Sequence, residues 1–129
     1  MDDMGSFRAD VEIENPARPG KLRRVGAALV DTGAELSWFP REVLESLGIR
    51  PARLTRFRQA TGVIVERWTG VAIVHVADAA AGDQVVFAEA GDLVLLGSRS
   101  LEGLNLVVDP VNKRLIDAGA MPAAPGLAA

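Results

Sequence analysis

The stretch that most constrains this chain is Ala27-Ala28-Leu29-Val30-Asp31-Thr32-Gly33-Ala34-Glu35-Leu36, where an apolar run stops at one acid, one small hydroxyl residue and one glycine. The pattern predicts a strand buried on both faces that feeds a tight turn and holds a carboxylate there. Gly33 is expected to supply backbone angles closed to other residues, and Thr32 to steady the turn by a local hydrogen bond. Asp-Thr-Gly is short enough to occur by accident, and a plain strand-end Asx turn accounts for it equally.

Length and composition limit what surrounds this turn. The 129 residues fit one domain and can bury a sizeable core. Fourteen basic against seventeen acidic residues leave a net charge of −3, so no nucleic-acid footprint is present. Arg18, Lys21, Arg23 and Arg24 form a local basic cluster, read as a solvated hairpin. The chain contains no cysteine, which excludes disulfides and thiolate chemistry. The acidic start Met1-Asp2-Asp3-Met4 has no apolar core of a signal peptide, and no apolar stretch is long enough to span a bilayer. A soluble, cytoplasmic protein without membrane association is the expectation.

Taken in order, Phe7, Val11 and Ile13 alternate as a first strand, and Asn15 to Gly20 are dense in turn formers. Residues 21–30 then return as a second strand. Leu36 to Phe39 suit a short strand, and Pro40 is placed to open a helix carrying Val43, Leu44 and Leu47 inward, with Gly48 as its stop. Leu54 to Val76 read as a hairpin and a longer strand, broken at Thr61-Gly62 and again at Thr69-Gly70. Ala77 to Asp83 look like a small polar connection, Gln84 to Glu89 a strand, and Leu93 to Leu96 a short buried strand ending at Gly97. Ser98 is expected to cap a helix to about Leu104. Two short strands, Leu106 to Val108 and Arg114 to Ile116, flank a turn, and the Ala/Pro/Gly tail from Ala118 is expected to fray. The whole is a mostly β, closed structure with one or two short helices.

Leu-Val-Asp-Thr-Gly-Ala at 29–34 resembles the active-site motif of the retropepsin-like aspartic proteases. Leu95-Leu96-Gly97, a short helix and an apolar strand resemble the segment that closes that fold and supports its catalytic loop. The helix ending Leu47-Gly48-Ile49 is closer to bacterial than to viral members, and the resemblance runs from about Phe7 to Ile116. It implies a closed β-barrel of the retropepsin type, with Asp31 catalytic and Thr32, Gly33 and Ala34 forming its loop.

The resemblance also implies a homodimer acting on a polypeptide substrate. Hydrolysis by this route uses two carboxylates sharing a proton, one activating water and the other protonating the carbonyl oxygen. This chain has one Asp-Thr-Gly, so Asp31 must meet Asp31 of a second copy across a two-fold axis. No metal or organic cofactor is implied. Ala34 replaces the serine of pepsin-like relatives, whose hydroxyl would favour the ionised carboxylate, so the expected optimum is mildly acidic to near neutral.

Two departures from the family stand out. Substrate contacts are assigned to Gly33, Glu35 and the flap residues Gln59, Ala60, Thr61 and Gly62, yet this segment is poor in glycine and also fits a plain surface hairpin. Retroviral members place an arginine directly after the glycine. Here Ser98 intervenes before Arg99, while Glu35 holds the position of the acid that such an arginine pairs with. Leu96, Gly97 and Arg99 are the supporting residues, although Arg99 also fits a surface position on a short helix.

Other chemistries find no support. His75 is the only histidine, in an alternating strand suited to packing or solvent, and a zinc site lacks both cysteines and a second histidine. Gly97-Ser98-Arg99-Ser100 has neither the spacing nor the lysine of a phosphate loop. Trp38 and Trp68 are read as core or pocket wall. The alternative function is a catalytically silent dimerisation or peptide-binding module of the same fold.

Overall fold

The computed structural model describes residues 7–124. β1 (Arg8–Glu14) and β2 (Leu22–Val30) form an antiparallel hairpin around the expected turn. Asn15 organises that turn, since its side-chain oxygen accepts the Ala17 N–H at 2.8 Å. Its Nδ2 donates to the Leu47 carbonyl at 2.9 Å, which pins the turn to the body of the fold. Only one face of β2 is fully covered: Ala28 and Val30 are buried, Leu29 is half-buried and Ala27 is exposed. The expectation of burial on both faces is corrected, because β2 lies in a wall whose outer side meets water.

β3 (Ser37–Pro40) runs directly into α1 (Arg41–Ser46), which buries Val43 and Leu44, with Leu47 buried just beyond it. Pro40 stays extended at φ −56°, ψ 133° and occupies the N-cap, one position before the one expected. β4 (Arg53–Arg58) and β5 (Ile64–Val76) form the expected hairpin, with Gly62 at φ +90° in its turn. The second break expected at Thr69-Gly70 is absent, and β5 continues through both residues. Gly70 serves close packing there: a Cβ would lie 2.7 Å from the Arg50 carbonyl oxygen.

β6 (Ala79–Ala88) begins five residues before the expected strand, after a tight turn at Ala77-Asp78. Its first half carries no β-branched residue, and it becomes a strand because the long β5 supplies a continuous antiparallel partner from Thr69 to Val76. β7 contracts to Leu95–Leu96, leaving Leu93 exposed at 61%. α2 (Ser98–Leu104) starts from an extended Gly97 at the N-cap, so Ser98 is the first helical residue and not the cap. β8 (Leu106–Asp109) and β9 (Arg114–Asp117) pair as a separate antiparallel ribbon. The chain after β9 is held at its start, where the Ala118 N–H donates to the Asn105 carbonyl at 2.9 Å and Asn105 Nδ2 to the Gly119 carbonyl at 2.8 Å. Residues 120–124 are exposed and belong to no helix or strand, and the end of the expected frayed tail, 125–129, lies outside the described residues.

The strands follow the order β1-β2-β7-β3-β6-β5-β4, and β1 also pairs with β5. That extra pairing returns the sheet to its first strand, so the wall closes and β4 projects outside it on β5. Val11, Ile13, Phe39, Val74, Phe87 and Leu96 fill the interior at 0% exposure. Trp38 is half-buried against Phe57, with ring centroids 5.2 Å apart, whereas Trp68 is 39% exposed and does not join the core. Among the described residues no helix is long and apolar enough to cross a membrane.

Candidate active site

The apolar lead-in of β2 ends beside β7, and the two pair in parallel through Leu29↔Leu95 and Val30↔Leu96. The pairing extends into the turn, because the Asp31 N–H donates to the Leu96 carbonyl at 3.0 Å. Asp31 Oδ1 accepts the Gly33 N–H at 2.9 Å, and the Asp31 carbonyl accepts the Ala34 N–H at 3.2 Å. The expected strand-end Asx turn is therefore present, with the Asp31 carboxylate at its centre. Gly33 is not in the left-handed region; a Cβ there would lie 3.2 Å from Asp31 Oδ1 and crowd the carboxylate. Thr32 is exposed, and the turn is held by the Asp31 carboxylate and backbone amides, not by a Thr32 hydrogen bond. Asp31 and Ala34 are half-buried, while Gly33 and Glu35 are exposed.

A second set of bonds braces the outgoing side of the loop. The Ser98 N–H donates to the Ala34 carbonyl at 2.8 Å, and the Arg99 N–H to the Glu35 carbonyl at 3.0 Å. The Gly97 N–H donates to Ser37 Oγ at 2.9 Å. Gly97 has no room for a side chain, because a Cβ would sit 2.6 Å from the Leu36 carbonyl oxygen. The Glu35–Arg99 pair survives the shifted position of the arginine, at 3.6 Å between Arg99 Nη1 and Glu35 Oε2. Their side chains are 77% and 47% exposed, so the backbone bonds and not this ion pair carry the brace.

The strand–turn–strand bearing Asp31 and the segment bracing it both fall within residues 11–100, which match a family model described as aspartyl protease. The chain belongs to the aspartyl protease family. Its fold is of the retropepsin-like kind, similar to that of the simian foamy virus (mac) protease in solution. That likeness has a TM-score of 0.50 at 19% identity and covers 74% of this chain and 92% of that one. No curated protein sequence matches the chain.

In this aspartyl protease the expected flap is the β4–β5 hairpin. Gln59, Ala60, Thr61 and Gly62 lie at its exposed tip, closed by the Gln59 N–H to the Val63 carbonyl and the Gly62 N–H to the Gln59 carbonyl, both at 2.8 Å. Residues that no local pattern singles out tie α1 and β5 to the turn that follows β6. Arg67 grips Asp92 through two hydrogen bonds of 2.7 and 2.9 Å and lies 6.0 Å over the Trp38 ring. Arg41 grips Glu89 with a shortest contact of 2.6 Å and lies over Phe87. These guanidinium bonds hold the Asp92 and Glu89 carboxyls below the usual carboxylate range. The partners are 25 and 48 residues apart, so only the folded chain pairs them.

His75 has a structural partner, with Nε2 2.7 Å from Glu14 Oε1 on the β1–β5 seam. Glu14 Oε2 also accepts the Gly20 N–H at 2.7 Å, and together these bonds lower the Glu14 pKa. Among the described residues no group of three or more His, Cys, Asp or Glu is placed to hold a metal ion. Two shallow hollows, of about 340 and 360 Å³, adjoin β8 and α1 respectively, and neither includes Asp31.

Proposed function

We propose that this protein is an aspartic endopeptidase whose active site contains Asp31 from each subunit of a homodimer. The observation that carries the reading is a single half-buried carboxylate, held by its own turn and by the β7–α2 brace, in a chain with one Asp-Thr-Gly. A second copy supplies both missing parts, the other carboxylate and the opposite wall of a cleft. With one proton shared, the ionised Asp31 takes a proton from a bound water, and its protonated counterpart donates to the carbonyl oxygen. The attacking hydroxyl and the oxygen so protonated leave a tetrahedral diol, which collapses with proton transfer to the amine. The substrate is an extended polypeptide lying as an added strand between the subunits, under the β4–β5 hairpins.

Asp31→Asn tests this directly, because the amide keeps the size and the acceptor for Gly33 but cannot share a titrating proton. A folded dimer with no detectable cleavage of an unfolded protein is expected. Cleavage at the wild-type rate would remove Asp31 from the mechanism. A silent peptide-binding module is the second reading, favoured by the tight, hydrogen-bonded hairpin tip with its single glycine. It predicts that the wild-type protein leaves the substrate intact while still binding a statine-type inhibitor.

A further inference from the structure

We propose that Asp83, Ser100 and Ser37 form one oriented hydrogen-bond chain that sets the position of the Asp31 loop, and are positioning residues for it; their role in turnover rests on the reading of Asp31 above. Ser37 opens β3, Ser100 lies in α2 and Asp83 in β6, so three elements distant in sequence meet at two hydroxyls. Ser37 is 0% and Ser100 1% exposed, where an unpaired hydroxyl is costly. The Oγ atoms of Ser37 and Ser100 are 2.6 Å apart, and Ser100 Oγ is 2.9 Å from Asp83 Oδ2.

Proton accounting leaves one arrangement. A carboxylate only accepts, so the single Ser100 proton goes to Asp83. Ser37 then donates to Ser100, and its lone pair takes the Gly97 N–H at 2.9 Å. The chain fixes Gly97, and the next two amides, of Ser98 and Arg99, reach the carbonyls of Ala34 and Glu35 on the Asp31 loop. Asp83 is aimed by its other oxygen, which accepts the Gln84 N–H at 2.8 Å. An amide at 83 has one acceptor oxygen for these two donors. Turning its NH2 towards Ser100 would reverse the chain and leave the Ser37 proton without an acceptor.

The test compares wild type, Asp83→Asn, Ser37→Ala and the double variant. One readout is amide hydrogen exchange; the other is kinetics on an unfolded polypeptide. Each single change is expected to speed exchange at Gly97 and Ser98 about tenfold while the β5–β6 amides stay protected. It should also lower kcat about tenfold with KM nearly unchanged, and narrow the bell-shaped pH profile, because carboxylates held farther apart interact less. Ser37 and Asp83 communicate only through Ser100, so the double variant should be no worse than the more damaging single one. Asp83 is partly exposed, which keeps Asp83→Asn informative if Ser37→Ala does not fold. Unchanged exchange at Gly97 and Ser98, additive effects, or a uniform loss of protection in all ladders would each overturn the proposal. If the wild-type protein cleaves nothing, the protease reading fails while the exchange rates and the cycle still decide the chain.

Discussion

Gly97 is the residue at which space is scarcest, with the Leu36 carbonyl oxygen and carbon where a side chain would begin. Gly97→Ala must push β7 and α2 away from the Asp31 loop, and we expect a loss of about 3 kcal/mol in urea unfolding. A variant as stable as wild type would show that the brace yields easily. Arg67 matters for the opposite reason, since its guanidinium fills space and satisfies a largely buried carboxylate. Arg67→Met leaves Asp92 with the Glu89 N–H and no cation, which is expected to cost about 2 kcal/mol. Arg99→Ala, at an exposed pair 3.6 Å long, should cost well under about 1 kcal/mol. If the Arg67 and Arg99 variants proved equally stable, burial would not be what separates these pairs.

Among the elements, the β8–β9 ribbon is distinctive because it pairs with no strand of the closed wall. It leaves Val107 and Ile116 exposed at 44% and 39%, on residues that face each other across the ribbon. Such an edge is available to another copy of the chain. Deleting everything from Lys113 onward removes β9 and should give monomers or aggregates, whereas deletion from Pro122 should leave the association state unchanged. Sedimentation of the two truncations checks this. A well-behaved dimer lacking 113–129 would place the interface elsewhere.

At the scale of the whole molecule, acidity acts on the fold and on the proposed dyad separately. Glu14, Glu89, Asp92 and Asp109 are all held below their ordinary values by hydrogen bonds from Gly20, Arg41, Arg67 and Asn112 respectively. A carboxyl with a lowered folded-state pKa binds fewer protons folded than unfolded. Its stabilisation is complete above the unfolded value and disappears as pH falls through the folded one. The thermal midpoint should therefore decline as pH drops below the ordinary 4.5 of Glu and 3.8 of Asp, and Asp92→Asn should flatten that slope. An unchanged slope would remove Asp92 from the acid response. Activity, by contrast, should follow a bell with its maximum between roughly pH 4 and 7, and specific activity should fall on dilution through the dimer dissociation constant. Dilution-independent activity in a sample that sediments as monomer would rule out the shared site.

The sequence alone determined the strand ending at Asp31, the turn after it, the apolar-apolar-glycine segment at Leu95 to Gly97 and both short helices. Each of these depends on neighbours within a few residues: apolar periodicity, a proline before a helix, a glycine at a turn. It misjudged positions where a distant partner outweighs local preference. Thr69-Gly70 looks like a turn, yet it lies inside a ladder between Val86 and Val85, and the alanine-rich start of β6 becomes a strand because β5 offers it a partner. Only the tertiary structure brought Asp83 to Ser100, Arg67 to Asp92 and His75 to Glu14, at separations of 17, 25 and 61 residues. Ser37 was the one visible hint, a polar residue in the apolar run Leu36 to Phe39. A buried hydroxyl announces that it needs a partner, and chain closure decides which one it meets.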